Sequence, residues 1–519
     1  MTRGGTGELS ALCSDPESKN RLLDYSWSLS IGSDECVEDD KAEEVLGNYL
    51  WPWSRKKVAR ELSYLRSLSD PSGKRYCRTM WNFDGMMPRL SLFMQPDVPS
   101  FVWNRNFRRA LKRVVERYPK HLKMAVWKTD ADVKSALSDW STSAGFEGIK
   151  TGLRKKREYL QGILSELCRK EDEAIKNGRY QDPMMLGRRS GVKGEFTPDG
   201  KPTGTCEHTS RPVMMVSLWQ ILTEARIAVA LEGFLRFYEG TAIGKSDQMI
   251  TDEVNRLRLT SAAYVSLDNS KYDSTLPEWL LHAAFDVLEQ CFDFRDQREK
   301  DLFRVVRMSY IYKTLILPDG PVSVKKGTPS GSRLTSLING ICNELITETW
   351  LSAFNRRAKF IIMGDDNLIC LTETENNISQ LVRDVSSYVE HNFGMKIHPD
   401  KSNCGTWDED PEFMSRTWGV LGPYRPEHEV ISKIAYPETR RPYWKESVTP
   451  ELIIYSYILG YAQTMRSLMD VDRFLRENNP RILEALSDKD VCRELPWSLR
   501  TYAATLFPTH CSGEYGLSA

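Results

Sequence analysis

No stretch of this 519-residue chain approaches the ~18–20 uninterrupted apolar residues of a membrane span. Its first twenty residues have no long apolar core, so a secretory leader is not expected. The eleven cysteines are scattered singly, with no Cys-x-x-Cys pair. That argues against a zinc ribbon or a disulfide scaffold and fits a reducing compartment. Internal repeats and low-complexity tracts are missing. So are Gly-x-Ser-x-Gly, His-Glu-x-x-His and the Walker A loop, which leaves a Ser- or Cys-based hydrolase without support. The seven histidines are dispersed, and none is assigned a role. Net charge is absent too: 71 basic residues face 71 acidic ones.

That balance hides a segregation. Residues 1–50 hold 4 Lys/Arg and 11 Asp/Glu, while residues 51–130 hold 18 Lys/Arg and 6 Asp/Glu. A basic region inside a neutral chain points to a polyanion held in one groove rather than to general stickiness. With 14 Trp, 21 Tyr and 18 Phe the chain can bury a large core, which excludes wholesale disorder. Its length suits two to four domains or one multi-lobed enzyme.

Residues 1–50 read as an acidic arm that packs on something else. Helical spacing, with Arg and Lys on one side, runs from Asn104 to Val126. The Ser/Thr/Gly stretch 138–150 reads as a loop, followed by a charged helix over about Lys150–Asn177. Residues 187–212, rich in Gly and Pro with basic residues between, read as a loop or hairpin. Val213–Tyr238 is apolar and expected to be helical. AAYVSLD reads as a buried strand ending at Asp268, followed by a helix with Pro277 in its first turn. Residues 314–331 show two strands joined by Asp-Gly, a hairpin signal, and a helix is expected over Ser332–Trp350. KFIIM and NLICL are β-type runs broken by Gly364-Asp365-Asp366, which predicts a hairpin with an acidic tip. A helix is expected over Ile378–Phe393, and residues 420–519 read as mostly helical.

Three acids stand out: Asp268 at a strand end, and Asp365 and Asp366 at a hairpin turn. Carboxylates at such places can converge on one sheet, and converging hard oxygens suit Mg²⁺ or Mn²⁺. Two such ions can activate an attacking hydroxyl and stabilise a leaving phosphate. What sets these acids apart is the order of the surrounding motifs. Asp268-x4-Asp273 comes first, then Ser330-Gly331-x3-Thr335-x3-Asn339, then Gly364-Asp365-Asp366, then a lysine in GMKIHPDKS, then FMSRTW.

This order and spacing resembles the palm motifs of viral RNA-dependent RNA polymerases. STSAGF (141–146) is similar to that family's template-guiding fingers loop, and the basic loop ending in Arg211 to its triphosphate-contacting motif. The resemblance spans about residues 141–418. The run D-x-S-x-Y-D-x-x-L-P-x-W-L (268–280) is similar to polymerases of small double-stranded RNA viruses, the partitivirus and picobirnavirus group. It implies an α+β right-hand fold with an antiparallel palm sheet backed by helices and mostly helical fingers and thumb. The implied division is an N-terminal extension bridging fingers and thumb (1–60), fingers (61–262, with 278–325 partly fingers and palm), palm (263–418), and thumb with C-terminal tail (419–519).

The resemblance also implies roles. Asp268, Asp365 and Asp366 would hold two Mg²⁺, or Mn²⁺, ions. Lys401 would be the general acid, with Lys396 a close competitor. Asp273 and Asn339 would read the ribose, supported by Ser330 and Thr335. Arg211 would contact the incoming triphosphate, with Arg188, Arg189 and Lys193 sharing its channel and Arg188 and Arg189 meeting RNA. Thr142, Ser143 and Gly145 would line the template path. Gly331 would flex against the templating nucleotide, and Arg416 would lie near the primer grip. Single- and double-stranded RNA, NTPs and a viral capsid protein are the implied partners, with no membrane. The implied location is the virion interior and host cytoplasm. Two other readings stay open: a reverse transcriptase with the same three carboxylates, and a non-catalytic RNA-binding, capsid-associated protein.

Overall fold

The computed structural model describes residues 11–30, 36–37, 78–79, 83–196, 202–374 and 377–425. The chain divides into two units. One comprises residues 1–32, 83–188 and 212–414, the other residues 33–82, 189–211 and 415–519. Most of the expected extension 1–60 and all but the first few residues of the expected helical run 420–519 lie outside the described residues. In the second unit, Cys36–Val37 pairs with Arg78–Thr79, and Arg416–Gly419 pairs with Gly422–Tyr424, both antiparallel.

The first unit begins with helix α1 (Pro16–Ser30). After a helix at Phe83–Met94 comes helix α2 (Arg105–Arg117), shorter than its sequence spacing suggests. Asn104 caps its start by accepting from the Asn106 amide, and it stops at Tyr118, whose extended backbone suits the residue before Pro119. Phe107, Ala110 and Val114 form its buried stripe.

The long helix expected over Lys150–Asn177 is interrupted. Helix α3 (Phe146–Thr151) ends at Gly152 (φ +77°), and α4 (Ile163–Asn177) begins after Gly162 (φ +64°). Two left-handed residues cannot continue a right-handed helix, so the charged run becomes two helices and a connector. Helix α1 packs on α3. Ser18 Oγ donates to the Lys150 carbonyl at 2.6 Å, and the Arg21 guanidinium donates to the Ile149 and Lys150 carbonyls at 2.7 and 2.6 Å. These satisfy carbonyls that the end of a helix leaves open, so this part of the acidic arm does pack on the body of the unit.

Strands β1 (Met185–Phe196) and β2 (Pro202–Met215) form the hairpin expected around residues 187–212. The strand takes Val213–Met215, so α5 spans Leu218–Leu235 rather than starting at Val213. It is apolar on almost every side and buried on almost every side. Next come α6 (Asp247–Thr260), β3 (Ala263–Ser266), α7 (Glu278–Glu289), with Pro277 at its cap, and α8 (Gln297–Ile311). Strands β4 (Lys313–Leu317) and β5 (Gly320–Val324) pair with Leu317 opposite Gly320, so the two-residue turn is Pro318-Asp319 rather than Asp-Gly. Helix α9 (Thr335–Ala353), β6 (Ala358–Met363), β7 (Asp366–Leu371), α10 (Ile378–Phe393) and β8 (Asn403–Gly405) follow in order.

One sheet positions the acids. Its order is β8-β3-β7-β6, with every neighbour antiparallel. Helices α2, α5, α7, α8, α9 and α10 contribute to one continuous core with it, including Phe107, Phe285, Tyr310, Trp350 and Phe393. Among the described residues, no helix is long and apolar enough to cross a membrane.

Candidate active site

The acidic turn forms as the sequence suggests. Met363 pairs with Asp366, leaving Gly364 and Asp365 as a two-residue turn. Gly364 has φ +63°, a value that favours glycine, while Asp365 keeps an ordinary negative φ. The turn is held from below by a residue the motif reading missed. Asn343 on α9, 2% exposed, donates through Nδ2 to the carbonyls of Gly364 (3.1 Å) and Asp365 (3.0 Å). Asn269 Nδ2 also donates to the Asp365 carbonyl, at 3.0 Å. Asn367, 1% exposed, links the two acidic segments: its Oδ1 accepts from Leu267 N at 3.0 Å and its Nδ2 donates to Asn343 Oδ1 at 3.4 Å. Asn343 lies one helical turn beyond Asn339, an amide in an otherwise apolar stretch, and that placement was the available signal.

Asp268 follows β3. Its N–H donates to Ser402 Oγ at 3.0 Å, and its carbonyl accepts from His398 N at 3.0 Å. Ser402 Oγ in turn donates to the His398 carbonyl at 2.8 Å. The GMKIHPDKS segment is therefore clasped to the Asp268 backbone. Lys401 ends a short 3₁₀ turn beside Ser402, and the Lys396 carbonyl accepts from Ser270 N at 2.8 Å. Both lysines are exposed. The segment brings both lysine backbones to the strand end that carries Asp268 and does not choose between them.

The charges of Asp365 and Asp268 bear on Asp366. The Asp366 carboxyl is raised to about 7, first by burial, then by the charges of Asp365, Glu412 and Asp268. Its side chain still meets solvent, so burial counts for less than in a sealed core and the like charges for more. That repulsion is what a cation would relieve. The donors are all carboxylate oxygens, a set that fits a hard divalent ion. Among the described residues, no group of three or more His, Cys, Asp or Glu side chains is closed tightly enough to hold an ion. The acids share one end of the sheet without forming a finished cage.

Beside them lies a second polar group. Asn339 Nδ2 donates to Asp273 Oδ1 at 2.6 Å, and Tyr272 OH donates to the Asn339 carbonyl at 3.0 Å. Thr335 Oγ1 donates to the Pro329 carbonyl at 2.6 Å, and Ser330 Oγ accepts from Met214 N at 3.0 Å. The structure gives Gly331 a reason of its own. A Cβ there would stand 2.2 Å from the Met214 carbonyl oxygen, so glycine is needed for close approach to β2, not for a positive φ.

The loop is also held by Glu224 of α5, which the sequence reading did not single out. Glu224 accepts from Ser332 Oγ (2.7 Å), Arg333 N (2.9 Å) and Gln220 Nε2 (2.8 Å), and has no exposed surface. Burial raises its carboxyl to about 7, against the lowering effect of those donors. The folded form therefore binds this proton more tightly than the unfolded chain. The stability it contributes is full below the ordinary glutamate pKa of 4.5 and is lost as pH rises through about 7. Glu224→Gln is expected to flatten that slope, gaining roughly 2–3 kcal/mol over wild type at pH 8 and nothing at pH 4. Urea midpoints at the two pH values measure it, and equal gains at both would rule out the buried charge as the cause.

The remaining sequence-derived positions scatter more widely. Thr142 is exposed, Ser143 Oγ accepts from Gly145 N at 3.1 Å, and Gly145 opens α3. Arg188, Arg189, Lys193 and Arg211 lie on the β1–β2 hairpin, with only their backbones among the described features. Arg416, in the second unit, is 8% exposed and places its guanidinium 5.0 Å over the Trp418 ring.

Two comparisons bear on these features. The viral RNA-dependent RNA polymerase family matches residues 238–463, which include Asp268, Asp273, Asp365 and Asp366. The RNA-dependent RNA polymerase of a human picobirnavirus has the same fold: 13% identity, TM-score 0.64, covering 95% of this chain and 94% of that one. An insertion-loop deletion mutant of a human picobirnavirus polymerase agrees, at 13% identity and TM-score 0.61, over 97% and 95% of the two chains. The fold is thus the α+β polymerase fold expected from the motifs, and neither alternative reading is favoured. The motif order, the acids gathered at one sheet end and the match of residues 238–463 to the viral RNA-dependent RNA polymerase family support RNA-directed RNA synthesis by a nucleotidyltransferase, on a fold like that of the picobirnavirus enzymes.

Proposed function

We propose that the chain copies RNA by two-metal nucleotidyl transfer, with Asp268, Asp365 and Asp366 as the residues that would hold two Mg²⁺ ions. The family uses divalent ions. The observation that carries the finer reading is the placement of Asp268, just beyond β3, beside the β6–β7 turn that carries Asp365 and Asp366, with Asn367 linking the two segments. Bound there, the ions would lower the pKa of the attacking 3′-hydroxyl and neutralise the triphosphate.

The chain's own residues supply the rest. Asp273 and Asn339 meet the ribose, where a 2′-hydroxyl offers both a donor and an acceptor. Ser330 and Thr335 fix the loop that presents them. Lys401, or Lys396, donates a proton to the departing pyrophosphate, a task suited to an ammonium group. Arg211, with Arg188, Arg189 and Lys193, forks onto phosphate oxygens. Thr142, Ser143, Gly145, Gly331 and Arg416 line the path of the RNA. Residues 263–418 form the palm in this reading. The template RNA and NTPs are the partners, and a capsid protein is a further one, with the enzyme working in the virion interior and host cytoplasm.

The test is incorporation of labelled nucleotides by the purified chain on a single-stranded RNA template. Template-length RNA is expected with NTPs and Mg²⁺, lost on chelation and restored by excess Mg²⁺ or Mn²⁺. Omitting the primer reports how synthesis starts. Product from dNTPs alone would move the assignment to the reverse transcriptase. RNA binding without product, with or without capsid protein, would favour the non-catalytic scaffold.

A further inference from the structure

We propose that Thr328 is a positioning residue for ribose selection: it aligns the Asp273 carboxylate and so fixes which way the Asn339 amide faces. This rests on the reading of Asp273 and Asn339 as the ribose-recognising pair. Thr328 lies two residues before Ser330, outside the motif positions discussed above, and is 1% exposed.

Two donors converge on a single oxygen. Asn339 Nδ2 reaches Asp273 Oδ1 at 2.6 Å, and Thr328 Oγ1 reaches the same atom at 3.3 Å. A carboxylate can only accept, so the amide must turn its NH₂ toward Asp273. The Asn339 oxygen is then committed to the other side. It is buried and has no hydrogen-bond partner among the described residues. A buried acceptor without a donor costs free energy until a donor arrives. A ribose 2′-hydroxyl is such a donor, and a deoxyribose has none to offer. The recognition therefore has a direction: the substrate hydroxyl donates and Asn339 Oδ1 accepts.

Thr328 can hold this arrangement because its own backbone is fixed. Its N–H donates to the Asp273 carbonyl at 2.7 Å, and the Gly327 N–H donates to the Leu276 carbonyl at 2.8 Å. The Gly327 carbonyl accepts at 2.7 Å from Nζ of Lys313, a buried lysine that also reaches the Ile311 carbonyl at 3.2 Å. The 327–328 peptide is thus pinned against both ends of the 273–276 turn. The hydroxyl is held on the carboxylate, and rotation of Asp273 away from Asn339 would break two bonds.

The experiment is single-nucleotide addition opposite one template base, comparing kcat/KM for the ribonucleotide with that for its 2′-deoxy counterpart. Thr328→Val keeps the shape and removes the hydroxyl, and it is expected to lower the selectivity ratio about tenfold, the worth of one hydrogen bond. Thr328→Ser restores the hydroxyl and the ratio, which a purely structural role of the residue's bulk would not do. Asn339→Ala serves as the control for the underlying reading. A 2′-fluoro nucleotide, which cannot donate, is expected to be handled by wild type like the deoxy substrate. Three results would overturn the proposal. Selectivity unchanged in Thr328→Val while Asn339→Ala loses it removes Thr328 alone. A 2′-fluoro substrate used as well as the ribonucleotide removes the direction assigned to the amide, with no variant needing to fold. Selectivity unchanged in Asn339→Ala removes the ribose reading itself.

Discussion

Asp365→Ala combined with Asp366→Ala is expected to take template-directed RNA synthesis below detection while leaving the fold and RNA binding in place. Lewis-acid stabilisation of a phosphoryl transition state supplies several kcal/mol, so losing two metal-facing carboxylates corresponds to roughly a thousandfold or more in rate. The structure gives a reason for the fold to survive. The turn is held by its carbonyls, through Asn343 and Asn269, and the two acidic side chains are exposed. Removing them also removes the repulsion that raises Asp366. The melting temperature should therefore hold or rise. A gel of labelled product, a thermal melt and a filter-binding assay with RNA make the three measurements. Synthesis at the wild-type rate from the double variant would sink the assignment of these acids.

The parts of this site that the sequence revealed are those with a local signature. KFIIM and NLICL are β-type runs separated by residues that turn, and they pair as β6 and β7 around Gly364-Asp365. The helix expected over Ile378–Phe393 spans those residues. Local patterns failed where one backbone conformation overrides a run of helix formers, as Gly152 and Gly162 do between α3 and α4. They failed again where a role depends on a partner far along the chain. Glu224 meets Ser332 108 residues away, and Thr328 meets Asp273 55 residues away. Nothing in the residues next to a glutamate or a threonine records such a contact. The basic region 51–130 gives a third case. Its surplus charge reads as a surface for a polyanion, yet Arg113 and Arg117 are engaged with buried acids of α9. Glu344 and Glu348, one turn apart in an apolar helix, were the signal. Two buried carboxylates at that spacing call for cations from elsewhere.

Those cations define the second large effect, which falls on stability. Arg117 donates to Glu344 Oε1 at 2.9 Å and also pairs with Glu348, while Arg113 reaches Glu348 Oε2 at 3.0 Å and Tyr238 OH donates to Glu344 Oε1 at 2.6 Å. The Glu344 and Glu348 side chains are only 3% and 4% exposed. Removing Arg117 leaves two carboxylates in the core with one cation between them, and breaking such a pair costs on the order of 3–5 kcal/mol. Arg117 is itself about a third exposed and Tyr238 remains, so the expected loss for Arg117→Ala is about 3 kcal/mol, read as a lower denaturant midpoint at pH 8. The sign with pH follows from the acids. Burial already raises Glu344, and Arg117 lowers it. Without Arg117 the carboxyl rises further, so the folded variant binds a proton that the unfolded chain releases above its ordinary pKa. The deficit should therefore shrink as pH falls toward 5 and grow toward 8. Glu344→Gln in the Arg117→Ala background should recover part of the loss at pH 8, because an amide needs no counter-charge. A deficit that is the same at both pH values and untouched by Glu344→Gln would mean that Arg117 acts through packing against Phe360, whose ring lies 5.3 Å from its guanidinium, rather than through charge.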